Sequence, residues 1–130
     1  MRIERGMNMN KRIKPGMYVR TKYGIAQVKD ISIKNECYEL DKDIMLDHEE
    51  NWKGTCTYKQ IQTFSNNILD LLEKGDIFLT ASGGIHKVEY IQDGFIRDIG
   101  FAVSKDTTRV IKAIMTKEQF EKMAYKVGEE

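Results

Sequence analysis

Two stretches of this chain repeat each other at a nearly constant separation, and that spacing limits the architecture more than any other feature. The first carries Gly16, Thr21, Gly24, Ile25, Val28 and Ile31; the second carries Gly75, Thr80, Gly83, Gly84, Ile85, Val88 and Ile91. Gly16 and Gly75 are 59 apart, as are Thr21 and Thr80. One glycine inserted in the second turn moves Ile25, Val28 and Ile31 to positions 60 later. Downstream, Thr57, Gln60 and Ile61 align with Thr116, Gln119 and Phe120, again 59 apart. Agreement at both ends of a segment predicts two units of roughly 50 residues, near 13–65 and 72–127, rather than the general likeness of glycine turns.

Each unit reads as strands. Met17–Tyr23 is β-branched and aromatic, Gly24 permits a turn, and Ile25–Ile33 alternates. A polar tip at Lys34, Asn35 and Glu36 precedes Cys37–Leu40. Gly54–Tyr58 and Gln62–Phe64 are expected as short strands pinched by a helical turn around Lys59 and Gln60. In the second unit Asp93-Gly94 is a type I′ hairpin signal joining Ile85–Gln92 to Phe95–Asp98. Arg109–Met115 is expected as a strand, Thr116 as the cap of a turn at Lys117–Glu121, and Met123–Val127 as the closing strand. Between the units, residues 66–75 predict a short helix, with asparagine before it, leucines on one face and Gly75 as its stop. The expected organisation is a basic arm at 1–12, a first domain at 13–65, a connecting helix at 66–75 and a second domain at 76–130. Met7 and Met9 are alternative translation starts to Met1.

The segment Lys14–Val28 resembles the opening of KOW, Tudor and CarD-type modules, with one glycine entering a strand and another at the first tight hairpin. That resemblance implies a mainly β protein of two tandem SH3-like small barrels joined by a short helix. More of the chain is similar to small uncharacterised proteins of phages and prophages of Gram-positive bacteria. The carriers are Val19–Ala26, Asn51–Lys53, Ile68–Asp76, Ile114–Glu121 and Tyr125–Val127. This second resemblance implies a mobile-element origin and a bacterial cytoplasmic setting, and brings no catalytic residues with it.

Charge is informative by its distribution. The 130 residues carry a formal net charge of only +1, which disfavours a uniformly basic nucleic-acid binder. Yet the first 22 residues hold Arg2, Arg5, Lys11, Arg12, Lys14, Arg20 and Lys22 against Glu4 alone. Residues 36–50 hold Glu36, Glu39, Asp41, Asp43, Asp47, Glu49 and Glu50 against Lys42 alone. Such a bipolar surface can steer a charged partner and set its register. The expected acidic and aromatic contact set is Asp41, Asp43, Asp47, Glu49, Glu50 and Trp52; Trp52 is either an exposed anchor or a core plug. The expected basic set is Lys11, Arg12, Lys14, Arg20 and Lys22, with Tyr18 and Tyr23 as surface aromatics.

No phosphate-binding loop, dinucleotide fingerprint or zinc motif is present. Ser82-Gly83-Gly84 lacks the strand–nucleophile–helix setting of a hydrolase elbow and reads as a hairpin turn. Cys37 and Cys56 lack metal-ligand spacing and read as buried strand thiols in a reducing compartment. No apolar run approaches the roughly 18 residues of a membrane span. The expectation is therefore a non-enzymatic protein without metal or cofactor. The resemblance to phage and prophage proteins implies a host protein as partner, with a defence effector such as a CRISPR nuclease as target. The alternative is a nucleic-acid accessory role for the basic arm and first barrel.

Overall fold

Antiparallel strand pairing organises the chain, with eleven strands, two 3-10 turns and one short α-helix among the residues described. The structure is a computed structural model, and it describes residues 10–42, 54–98, 100–105, 110–124 and 127–128. The chain divides between Leu71 and Leu72 into two compact units.

The first unit contains β1 (Tyr18–Thr21), β2 (Gly24–Ser32), β3 (Cys37–Leu40), β4 (Thr55–Cys56) and β5 (Thr63–Ser65). A 3-10 turn, η1 (Tyr58–Gln60), precedes β5, and a second, η2 (Ile68–Leu71), follows it. The five strands lie in the order β4-β3-β2-β1-β5. β2 changes partners along its length. Its first half pairs with β1, with Val19 opposite Ala26, and its second half pairs with β3, with Ile31 opposite Tyr38. The register shift between Val28 and Asp30 lets one strand serve both neighbours by bending. Ile13, Val19, Ala26, Val28, Tyr38, Leu40 and Cys56 form the buried core. Among the described residues no pairing joins edge strands β4 and β5, so the sheet is open.

The second unit contains β6 (Ile77–Thr80), β7 (Ile85–Lys87), β8 (Tyr90–Gln92), β9 (Phe95–Asp98), β10 (Phe101–Ser104), β11 (Ile111–Met115) and the helix α1 (Lys117–Met123). They form two three-stranded sheets, ordered β10-β9-β8 and β11-β6-β7. The single strand expected over Ile85–Gln92 is thus two strands in different sheets. The break is a change of partner: the Val88 N–H donates to the Asp76 carbonyl at 2.8 Å, whereas the Glu89 N–H donates to Arg97 at 2.8 Å. Taking β7 and β8 together in the place of β2, the order in the second unit matches the first strand for strand.

Backbone hydrogen bonds repeat at the sequence spacing. Gly16 N–H donates to Val28 at 2.8 Å, and Gly75 N–H to Val88 at 2.9 Å. Val28 N–H returns to Met17, as Val88 N–H does to Asp76, each at 2.8 Å. The Thr21 hydroxyl donates to the Gly24 carbonyl and the Thr80 hydroxyl to the Gly84 carbonyl, both at 3.3 Å. Gly16 and Gly75 have φ of +97° and +99°, a left-handed conformation that only glycine adopts at little cost. Phe78, Val88 and Ile96 are buried where Val19, Val28 and Tyr38 are buried in the first unit.

The downstream match behaves differently. Thr57 and Gln60 frame η1, which lies before the last strand, β5. Thr116 and Gln119 frame the start of α1, which lies after the last strand, β11. The same local capping sequence therefore serves two places in the strand order, because a cap needs only its own turn.

Other expectations are revised by long-range pairing. The short helix expected over 66–75 is the single 3-10 turn η2, in which the Asn67 side chain accepts from the Leu69 N–H at 2.9 Å. Strand β10 was not anticipated; it pairs antiparallel with β9, Phe101 opposite Asp98. Met123, expected in a closing strand, ends α1, and Tyr125 and Lys126 lie outside the described residues. The hairpin at Asp93-Gly94 forms as its dipeptide predicts, with φ of 55° and 79°. Among the described residues no helix is long and apolar enough to cross a membrane.

Candidate functional site

The β1–β2 hairpin is closed by only Lys22 and Tyr23, since Thr21 pairs directly with Gly24. The Tyr23 N–H is taken by the Thr21 hydroxyl at 3.0 Å, which fixes the tip. Beside it, Arg20 pairs with Thr63 across β1 and β5, and the Gln62 N–H donates to the Arg20 carbonyl at 2.7 Å. That pairing brings the η1–β5 segment against the hairpin tip. Between them lies a cavity of about 290 Å³ lined by Lys22, Tyr23, Lys59, Gln60 and Gln62.

Its lining is cationic and hydrogen-bonding. Lys22 and Lys59 are exposed, and among the described residues no carboxylate lines the cavity. The Lys22 ammonium stands 5.2 Å from the centre of the Tyr23 ring, a cation–π distance. Tyr23 is half-buried and packs against the core, so its ring is anchored from behind. The Gln60 carboxamide oxygen accepts from the Thr57 N–H at 2.8 Å, which holds that side chain in the wall. Two ammonium groups, a phenol and carboxamides suit recognition of an oxyanion, since each supplies N–H or O–H donors.

The expected contact residues are dispersed. Lys11, Arg12 and Lys14 are exposed ahead of β1; the Arg12 guanidinium lies 5.8 Å from the Phe64 ring centre. Lys22 is exposed as expected. Arg20 is a correction, because it has 0% exposure and its Nη1 donates to the Leu71 carbonyl at 2.9 Å. Val19 on one face of β1 meets the core, and the opposite face, which Arg20 occupies, is covered at η2. A strand covered on both faces has no solvent side for its arginine. Tyr18 and Tyr23 are both half-buried rather than fully displayed. Asp41 is exposed, and its carboxylate accepts from the Gln27 N–H at 2.9 Å. Asp43, Asp47, Glu49, Glu50 and Trp52 lie outside the described residues.

Lys59, Gln60 and Gln62 were not singled out as binding residues. They are more than 35 positions from Lys22. Only the β1–β5 pairing unites them, and a polar turn carries no signal of which hairpin it will face.

In the second unit, His86 Nδ1 and Asp98 Oδ2 are 2.6 Å apart, and the imidazole stacks on Phe78 with ring centres 5.4 Å apart. This pair links β7 to β9 and thereby the two sheets of that unit. Ser82 shares a hydrogen bond with Thr80 at 3.0 Å, within the turn. Cys37 and Cys56 are buried free thiols. Burial pushes both thiol pKa values up, that of Cys56 to about 12. Among the described residues no group of three or more metal-ligating side chains converges.

No protein-family model, no curated protein and no solved structure matches the chain.

Proposed function

We propose that this chain is a non-enzymatic binding protein of phage or prophage origin, built on two SH3-like barrels, that engages a host protein. A bacterial defence effector such as a CRISPR nuclease is the proposed class of target. The barrel reading is supported by the order β4-β3-β2-β1-β5, with β2 shared between two partners and a 3-10 turn before the last strand. The second unit has the same order in two pieces. The mobile-element origin rests on the resemblance of the segments named above.

The observation that carries a binding role is the cavity itself. A hairpin tip and a 3-10 turn, far apart in sequence, bring Lys22, Tyr23 and Lys59 to one cavity of the first unit. Loops held by a rigid sheet are the usual carriers of recognition. The test is capture from host lysate with the tagged full chain, run beside the K22E/K59E variant. The expected result is one dominant protein, retained by the native chain and depleted with the variant. Equal recovery by both removes this surface from the interface.

A second reading, a nucleic-acid accessory protein, is favoured by the exposed cations Lys11, Arg12, Lys14 and Lys22. It requires binding to single- or double-stranded nucleic acid that weakens steeply as salt rises.

A further inference from the structure

We infer that the Lys22–Lys59 cavity is a carboxylate pocket that reads an acidic segment of the partner protein; this rests on the binding-protein reading above. Size is the first argument. At about 290 Å³ the cavity lies at the lower end of small-molecule sites, which favours a side chain over a cofactor.

Charge is the second argument. The two lysines that line the cavity come from separate elements, the β1–β2 turn and η1, so a carboxylate there meets positive charge from both. The sheet pre-sets this arrangement. Gln62 is tied to Arg20 through its backbone at 2.7 Å, and the hairpin tip by the Thr21 hydroxyl at 3.0 Å. The backbone of both elements is fixed before the ligand arrives, so what remains to be ordered is the exposed lysine side chains.

The Tyr23 ring discriminates between two anionic partners. Single-stranded nucleic acid gains affinity by stacking bases on open aromatic faces. Here the Lys22 ammonium stands over that ring at 5.2 Å, so a stacked base must displace it. A carboxylate instead meets Lys22 where it already is. The net charge of +1 agrees with a local anion pocket rather than a surface that tracks a phosphate backbone.

Exposed ion pairs contribute roughly a fivefold gain in affinity each at best, so a lone carboxylate binds weakly. The ligand class is therefore a run of Glu or Asp, one inserted and its neighbours prolonging residence near the lysines.

The test is a two-dimensional nitrogen–proton NMR titration of the full chain with a capped hexaglutamate peptide. Hexaglutamine and a ten-residue oligothymidylate serve as comparisons. Hexaglutamate is expected to shift the amides of Lys22, Tyr23 and Lys59 and the side-chain amides of Gln60 and Gln62. The K22E/K59E variant should weaken this binding at least about tenfold while keeping native peak dispersion. K22Q/K59Q, which removes charge without reversing it, should fall between. Equal shifts from hexaglutamine, unchanged hexaglutamate binding in the variant, or shifts from oligothymidylate alone would each overturn the inference. The lysate capture separates the two failures. A host protein held equally by the native chain and K22E/K59E removes the pocket but keeps a binding protein, whereas no protein captured by the native chain removes both.

Discussion

Arg20 Nη1 donates to the Leu71 carbonyl across 2.9 Å, joining β1 to η2 within the first unit with both residues buried. A guanidinium removed from water must be hydrogen-bonded, and its removal strands the acceptor and leaves a void. Arg20→Ala is therefore expected to cost about 3 kcal/mol of stability, with Arg20→Lys recovering part of it. Urea denaturation followed by tryptophan fluorescence measures this. Full stability in the alanine variant would return Arg20 to the list of surface contacts.

Asp76 anchors the start of α1. Its Oδ1 accepts from the Lys117 N–H at 2.8 Å and its Oδ2 from the Glu73 N–H at 2.7 Å, with 0% exposure. Asp76→Ala leaves two backbone donors without this acceptor and is expected to cost about 2–3 kcal/mol. Asp76→Asn keeps one carbonyl oxygen and should cost less. Hydrogen exchange at the Lys117 amide, accelerated in the alanine variant, checks the local origin of the loss.

Thr57 and Thr116 share a capping sequence but not an environment. Gln119 Oε1 accepts from the Thr116 N–H at 2.9 Å, and the Thr116 hydroxyl accepts from the Gln119 N–H at 3.1 Å. At η1 the Gln60 N–H goes to the Thr57 carbonyl at 3.1 Å, so Thr57 relies less on its hydroxyl. Thr116 is buried and Thr57 exposed. Thr116→Ala should cost about 1–2 kcal/mol and Thr57→Ala under about 0.5 kcal/mol, compared by thermal melts of the two variants.

Cys56 links stability to alkaline pH. Desolvation, with the Cys37 thiolate adding repulsion, raises its pKa from 9.0 to about 12. The unfolded chain releases this proton first. The contribution is therefore fully present below pH 9 and is lost as pH rises from there through about 12. Cys56→Val should flatten that part of the stability–pH curve, while Cys37, shifted the same way, leaves a smaller slope. Buried protonated thiols also predict slow alkylation by iodoacetamide until the chain unfolds.

How far these features were legible depended on how local their cause is. The tip at Asp93-Gly94 and the left-handed Gly16 and Gly75 follow from backbone sterics at those residues. The Thr–Gln caps at η1 and α1 form within one turn. Those signals survive any tertiary arrangement, which is also why the Thr57 and Thr116 match could not say where its turn stands in the strand order. The acidic contact set beyond Asp41 lies outside the described residues, as does Trp52, so Asp41, the basic set, Tyr18 and Tyr23 are the expectations that meet structure here.

The amino-acid sequence by itself determined the turns, the caps and the 59-residue recurrence of the strand-opening pattern, since each depends on a few neighbouring residues. Only the tertiary structure decided that β5 lies beside β1 and β11 beside β6. The same pairing hides Arg20 and brings Lys59 to Lys22. Strand partners are chosen by what both faces of the whole sheet can bury, and residues some 40 apart carry no local mark of that choice.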